Sequence, residues 1–193
     1  MTPAGLILAG GASSRMPGAS KLVRPWGDTT VLGSVIRVAR EADLAPIFVV
    51  AAAAVDAGAA EALGADRHVP APPNGGRADS LAVGLAALPS GPVVVLLGDE
   101  PGLDAATVCA LVEHCRSVGA DAGRVAYADR PGHPVWLGPA ARAVARDLKG
   151  EAPVWEAVSS ASLKAVVLAR EESAPIDVDS PDALARARRR GRA

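Results

Sequence analysis

GLILAGGASSRMPGASK, Gly5 to Lys21, opens as an apolar strand, breaks into paired glycines and ends with two cations, Arg15 and Lys21. The opening run, Gly5 to Ala9, has no polar alternation. Strands of that kind are buried on both faces, as in a parallel sheet covered by helices. Three more runs share this character: PIFVVAA (46–52), PVVVLLG (92–98) and LKAVVLA (163–169). Between them, residues 29–43, 55–63, 78–88 and 104–118 are helix-compatible, some of them closed by Gly or Pro. The alternation predicts an α/β domain with a doubly wound, mostly parallel sheet. RVAYA and HPVWLG flank a Pro/Gly turn and read as an inserted hairpin or a pair of short strands. SPDALARARRR closes the chain as a helix, with Ser180 at the N-cap, Pro181 at the first helical position and Asp182 in the first turn.

The 193 residues suffice for one sizeable core and are few for two domains. One domain is expected over residues 1–185, followed by a basic tail, 186–193, that frays. Half the residues are hydrophobic but only 3% are aromatic, so Ala, Val and Leu must build the core. The 20 basic and 21 acidic residues nearly cancel, which argues against a nucleic-acid or membrane partner. No apolar run is long enough to span a bilayer. Cys109 and Cys115 lack metal-site spacing, and no secretory leader precedes Gly5. Both read as reduced thiols of a cytoplasmic protein.

In doubly wound sheets, ligands bind beyond the carboxyl ends of the strands. That directs attention to residues 10–21, 98–101 and 176–182. Gly10 and Gly11 allow close backbone approach, successive N–H groups there form an anion nest, and Arg15 and Lys21 suit a polyphosphate. A plain strand-to-helix turn with two solvated cations is the alternative. The stretch is not a P-loop, because Gly11 stands where that loop needs Lys. Nor does it contain the Gly-x-Gly-x-x-Gly of a dinucleotide fold.

Elsewhere, LLGDEPGL sets Asp99 directly after a buried strand, where a carboxylate can hold Mg²⁺ together with substrate phosphates, or simply cap a turn. PAPPNGGRADSLAVGL is a loop entering a helix, in which Asn74, Gly76, Arg77 and Ser80 could meet a base or phosphate, or which is simply a surface turn before a capped helix. His133 lies between Gly132 and Pro134 with no nucleophile beside it in sequence. In IDVDSPDAL, Asp177 and Asp179 point to opposite faces if extended, and Asp179 is the candidate for metal or structural support.

LAGGASSRMPGASK resembles the signature loop of the MobA-like nucleotidyltransferases. GDEP resembles their metal-binding Gly-Asp-x-Pro, with Glu100 at its variable position, and IDVDSPD resembles their closing Asp-Ile-Asp-Thr-Pro-Glu-Asp. Gly76, Ser80, Leu81 and Gly84 match the Gly-x-x-x-Ser-Leu-x-x-Gly-Leu segment of the molybdopterin cytidylyltransferase (MocA-like) branch, and Gly-His-Pro resembles its acceptor-side motif. The resemblance implies a Rossmann-like, GT-A-like fold and transfer of a nucleoside monophosphate from an NTP, CTP foremost, to a phosphorylated acceptor such as molybdopterin. Pyrophosphate would be released and Mg²⁺ would be the cofactor. It implies that Leu8, Ala9, Gly10, Gly11, Arg15, Lys21, Asn74, Gly76 and Ser80 hold the nucleotide. Arg15, Lys21 and Asp99 would carry the chemistry, Asp99 and Asp179 the metal, and His133 would stand on the acceptor side. A molybdoenzyme maturation partner is also implied. Pro17, Ser20 and the Gly150–Pro153 segment, which lacks the branch's Arg, depart from the pattern. A transferase for a sugar phosphate, or a nucleotide-binding accessory protein, are the alternatives.

Overall fold

The structure is a computed structural model that describes residues 1–10, 20–52 and 54–190. Its centre is a seven-stranded sheet in the order β5 (Arg67–Pro70), β4 (Ile47–Ala51), β1 (Ala4–Ala9), β6 (Val93–Leu97), β8 (Pro131–Leu137), β7 (Ala122–Ala126), β9 (Ala165–Ala169), and β2 (Pro25–Trp26) pairs with β3 (Thr29–Thr30) in a separate small ribbon. Three of the four apolar runs become its central parallel strands, β1 (Ala4–Ala9), β4 (Ile47–Ala51) and β6 (Val93–Leu97), and the fourth becomes the edge strand β9 (Ala165–Ala169). β1 pairs in parallel with both β4 and β6, in registers that place Leu8 opposite Val50 on one side and Leu97 on the other. β5 (Arg67–Pro70) extends the sheet beyond β4. This short strand, largely open to solvent, carries no apolar run and was not anticipated from sequence.

The two segments expected as an inserted hairpin are integral to the sheet. β8 (Pro131–Leu137) lies between β6 and β7 (Ala122–Ala126), antiparallel to both, and β7 pairs in parallel with β9. A hairpin turn brings β8 back beside β7, and its Val135 and Leu137 supply the apolar face that β6 needs on that side.

Helices cover both faces. On one lie α1 (Val31–Glu41), α4 (Ala105–Val118) and α7 (Pro181–Arg190), packed over Ile7, Val49, Val94 and Leu96. On the other lie α3 (Arg77–Ala87), α5 (Pro139–Arg146) and α6 (Val154–Ser160), over Leu6, Val50, Val93 and Val95. Adjacent residues on each strand thus face opposite cores, which is why the strands read as unbroken apolar runs. α2 (Ala54–Ala62) joins β4 to β5. α3 lies close on the sheet at Gly84: a Cβ there would stand 2.6 Å from Leu6 Cδ1 and 2.8 Å from Val50 Cγ2.

Local signals fix the helix ends. Thr30 caps α1 by accepting from Gly33 N at 3.1 Å, Asp104 caps α4 by accepting from Thr107 N at 2.7 Å, and Gly119 closes α4 at φ 62°. Ser180 accepts from Ala183 N at 3.2 Å, as its N-cap position predicts. α7 does not stop at residue 185. Ala187 is buried, Arg188 donates to Pro25 O, and Arg190 donates to Ala174 O at 3.0 Å. The basic stretch through Arg190 is therefore helix docked on the domain, because its small residues face the core while its arginines reach backbone carbonyls. No described helix is long and apolar enough to cross a membrane. Cys109 is exposed and Cys115 buried, both free, and burial raises the Cys115 thiol to about 11.

Candidate active site

β1 leads through α1 to β4 on one side, and the chain later returns across the sheet through α3 to β6 on the other. The sheet therefore changes direction between β1 and β6, and a crevice opens beyond the carboxyl ends of these two strands. Gly98 N donates to Leu8 O at 2.9 Å, so the loop starting at Gly10 and the turn carrying Asp99 leave the sheet side by side.

Lys21 and Asp99 meet there. The Lys21 ammonium, in a short 3₁₀ turn and only 8% exposed, donates to Asp99 Oδ2. These residues are 78 apart in sequence, and the crossover through the sheet brings them into contact. The closing stretch joins them: Val178 N donates to the Asp99 carbonyl at 2.8 Å, and Asp179 N to Asp177 O at 3.1 Å. Asp179 is thereby held in backbone continuity with the Asp99 turn. Asp177 is exposed and taken up by Arg130 at 3.2 Å.

Among the described residues, no group of three or more His, Cys, Asp or Glu side chains could by itself hold a metal. Asp99 offers one carboxylate here, and its turn is bonded through the backbone to the stretch that carries Asp179. A lone carboxylate suits a hard divalent cation that completes its shell with water and phosphate oxygens rather than with a protein cage. An ammonium already seated on Asp99 shows that a positive charge is stable at that point.

Several of the residues expected to hold the nucleotide lie at the start of α3. A Cβ on Gly10 would stand 3.2 Å from Ser80 Oγ and 3.3 Å from Ala71 Cβ, so the backbone at Gly10 passes directly over Ser80, itself 8% exposed. Asn74 turns the chain at φ 57° and is exposed. Gly76 is the N-cap of α3, where a Cβ would fall 2.2 Å from both the carbonyl carbon and oxygen of Gly150. Leu8 and Ala9 end β1 at the crevice. Gly11 and Arg15 lie outside the described residues.

His133 sits on β8. It lines a cavity of about 330 Å³ together with Leu8, Arg77, Arg124, Leu97 and Trp155. Its carbonyl accepts the Tyr127 hydroxyl at 2.7 Å, and burial of its ring lowers the imidazole to about 4, despite the partial pull of Asp177 in the other direction. At neutral pH it is an uncharged donor or acceptor. The cavity's outer wall, residues 151–156, is fastened to α3 by Asp79. One carboxylate oxygen of Asp79 accepts both Gly76 N and Gly150 N, each at 2.9 Å, and Ala78 N donates to Gly150 O at 2.9 Å.

Four residues escaped sequence reasoning. Asp79, Arg124 and Trp155 carry no motif; only an Asp three residues past the helix-opening Gly76, placed to accept the Gly76 N–H, could have flagged Asp79. Glu100 was passed over as the variable position of its motif. It is 1% exposed, neither carboxylate oxygen meets a described hydrogen-bond partner, and the Arg130 guanidinium lies 3.5 Å away. Burial, and then Asp177 beside it, holds its carboxyl well above the usual range. Arg130 also donates to Pro175 O at 2.7 Å and so ties the β7–β8 turn to the closing stretch.

The sequence profile of the MobA-like NTP transferase domain matches residues 5–166. No curated protein sequence matches the chain. Among solved structures, Rv0371c from Mycobacterium tuberculosis H37Rv is similar at 31% identity and TM-score 0.82, covering 98% of this chain and 99% of that one. A structure of the same mycobacterial protein in complex with manganese is similar at 30% identity and TM-score 0.81, covering 98% and 99%. A nucleotidyl transferase from Methanothermobacter shares the fold at 22% identity and TM-score 0.79, covering 98% and 97%.

Proposed function

The chain belongs to the MobA-like NTP transferase family, and on that premise we propose that it transfers a nucleoside monophosphate from CTP to a phosphorylated acceptor, with molybdopterin as the leading candidate. An acceptor phosphate oxygen attacks the α-phosphorus, the bond from that phosphorus to the α–β bridging oxygen breaks, and pyrophosphate leaves with the electron pair. The acceptor oxygen is already ionised, so no general base is needed, and a His133 kept neutral by burial fits an acceptor-side contact rather than a proton acceptor.

The observation that carries this reading is the meeting of Lys21 and Asp99 at the sheet's switch point, with the closing stretch hydrogen-bonded to Asp99. Asp99 and Asp179 are the residues that would hold Mg²⁺, and the manganese bound by the mycobacterial relative supports a divalent cation there. When bound, such a cation neutralises charge on the triphosphate as it builds toward the leaving group. Lys21 gives up its contact with Asp99 and stabilises the departing pyrophosphate, assisted by Arg15, and Gly10 with Gly11 presents backbone N–H groups to the phosphates. Gly76 and Ser80, at the head of α3, face the nucleoside. The preference for CTP rests on the cytidylyltransferase-like segment Gly76, Ser80, Leu81 and Gly84.

The test is pyrophosphate release with each of the four nucleoside triphosphates, Mg²⁺ and candidate acceptors, beside a thermal-shift panel of the same nucleotides. CTP is expected to give the largest shift, since a ligand bound only by the native state raises its stability. Asp99→Asn should slow release by about two orders of magnitude or more. Full Mg²⁺-dependent turnover in that variant would overturn the assignment. Tight nucleotide binding with no release from any acceptor would favour an accessory protein instead.

A further inference from the structure

Two side chains beside Asp99 have no part in the transfer as described above: Glu100, in the same turn, and Arg130, in the turn between β7 and β8. Glu100 is 1% exposed, and neither of its carboxylate oxygens has a hydrogen-bond partner among the described residues. A buried carboxyl in that position is costly, and the compensation here comes from one guanidinium. Arg130 Nη2 stands 3.5 Å from Glu100 Oε1 and 3.2 Å from Asp177 Oδ1, and it donates to Pro175 O at 2.7 Å. Tyr127 N donates to Arg130 O at 3.0 Å, which closes the turn and fixes where the side chain starts. The residue after Asp177 is tied to the same place, since Val178 N donates to the Asp99 carbonyl at 2.8 Å. Three acidic side chains are thus gathered around one turn, with Lys21 set on Asp99 and Arg130 on the other two.

We propose that Arg130 is a positioning residue that withholds Asp177 from the metal site, so that a divalent cation binds firmly only together with the triphosphate. The inference rests on the transferase reading above, with its cation at Asp99. Affinity for a hard cation rises with the number of charged ligands a site offers. While Asp177 is held on Arg130, its carboxylate is not offered beside Asp99, and the phosphate oxygens supply the negative charge that is missing. Removal of the guanidinium releases that carboxylate and deletes a positive charge from the same neighbourhood, and both changes attract a cation. Loosening of the fold by itself would act the other way, because a disordered closing stretch no longer presents its groups to the Asp99 turn.

Titration of the whole chain with Mn²⁺, followed by loss of the free-ion EPR signal, tests this. It is made with and without a saturating α,β-methylene analogue of the tightest-binding nucleoside triphosphate. Without nucleotide, Arg130→Met should bind Mn²⁺ about tenfold more tightly than wild type, and the analogue should narrow the gap because the phosphates then dominate the shell. Arg130→Lys keeps the charge and should stay within about threefold of wild type. Asp177→Asn should weaken Mn²⁺ by no more than about threefold, the effect of a screened charge that is not a ligand. In the Arg130→Met background the same change should abolish the gain. A gain in Arg130→Met no larger than that threefold overturns the proposal. So does a loss beyond threefold in Asp177→Asn, a result that needs no Arg130 variant to fold. Mn²⁺ binding unchanged in Asp99→Asn, with and without the analogue, would instead remove the metal from Asp99 and with it the transferase reading, so the two failures are distinct.

Discussion

Asp79 ties the head of α3 to the loop that leads into the cavity wall, and its removal has a calculable cost. One carboxylate oxygen accepts two backbone N–H groups at 2.9 Å, from Gly76 at the head of α3 and from Gly150 on the loop leading to the cavity wall. Hydrogen bonds to a charged group contribute about 1.5–3 kcal/mol each when shielded. Asp79 is only half-buried, so screening reduces each to about 1 kcal/mol. The loss of a carboxylate at a helix N-terminus adds about 0.5 kcal/mol. Asp79→Ala should therefore lower stability by about 2.5 kcal/mol, which for a domain of this size is a fall of about 5–10 °C in Tm. Asp79→Asn is the informative partner. Because a single oxygen serves both donors, an amide oxygen in that place keeps both bonds and forfeits only their charge, so its cost should be less than half that of Ala. Thermal and urea unfolding give the stabilities, and hydrogen exchange at the Gly76 and Gly150 amides gives the local effect. The Gly150 carbonyl remains bonded to Ala78 N, so the loop should loosen rather than detach. A Tm unchanged in Asp79→Ala, with Gly150 exchange also unchanged, would refute the account of this junction.

Arg142, 8% exposed, donates to the carbonyls of Leu85, Leu88, Pro89 and Gly91 and so closes the end of α3 and the turn into β6. Arg142→Met should cost about 3–4 kcal/mol by urea unfolding, and Lys should recover only part of it because it cannot reach the same fan of acceptors. His133 titrates near 6.5 in an unfolded chain and near 4 in the fold, so the unfolded state binds the extra proton between those values. Its contribution to stability is complete above pH 6.5 and is lost as pH falls toward 4. The Tm-versus-pH curve of His133→Gln should be shallower than wild type in that window and parallel to it above. Superimposable curves would show that the ring is solvated.

The sheet's central strands and most of the long helices were legible because their signals are local. An unbroken apolar run of five residues, a Thr or Asp at an N-cap, a Gly at a helix end each act within a turn or two of chain. β5, α5 and α6 were not seen, since short elements with mixed burial leave little periodicity. The tail was misjudged for a related reason: eight residues rich in Arg look solvated in sequence, yet the carbonyls of Pro25, Ser173 and Ala174 are within reach once α7 docks.

The class of sheet and the family were legible in the chain's own residues. Each of these follows from neighbours along the chain, through burial periodicity, backbone freedom at glycine or the spacing within a motif. Only the tertiary structure decided which groups share a site. Lys21 meets Asp99 because the sheet reverses between β1 and β6, Asp79 spans 71 residues to hold Gly150, and Arg124 comes to rest on Trp155 across a cavity that no motif marks. Those contacts depend on the stagger of strands and the crossing of helices. GLILAGGASSRMPGASK thus carries its family signature in its own residues, while the cavity beside His133 exists only where six separate segments pack together.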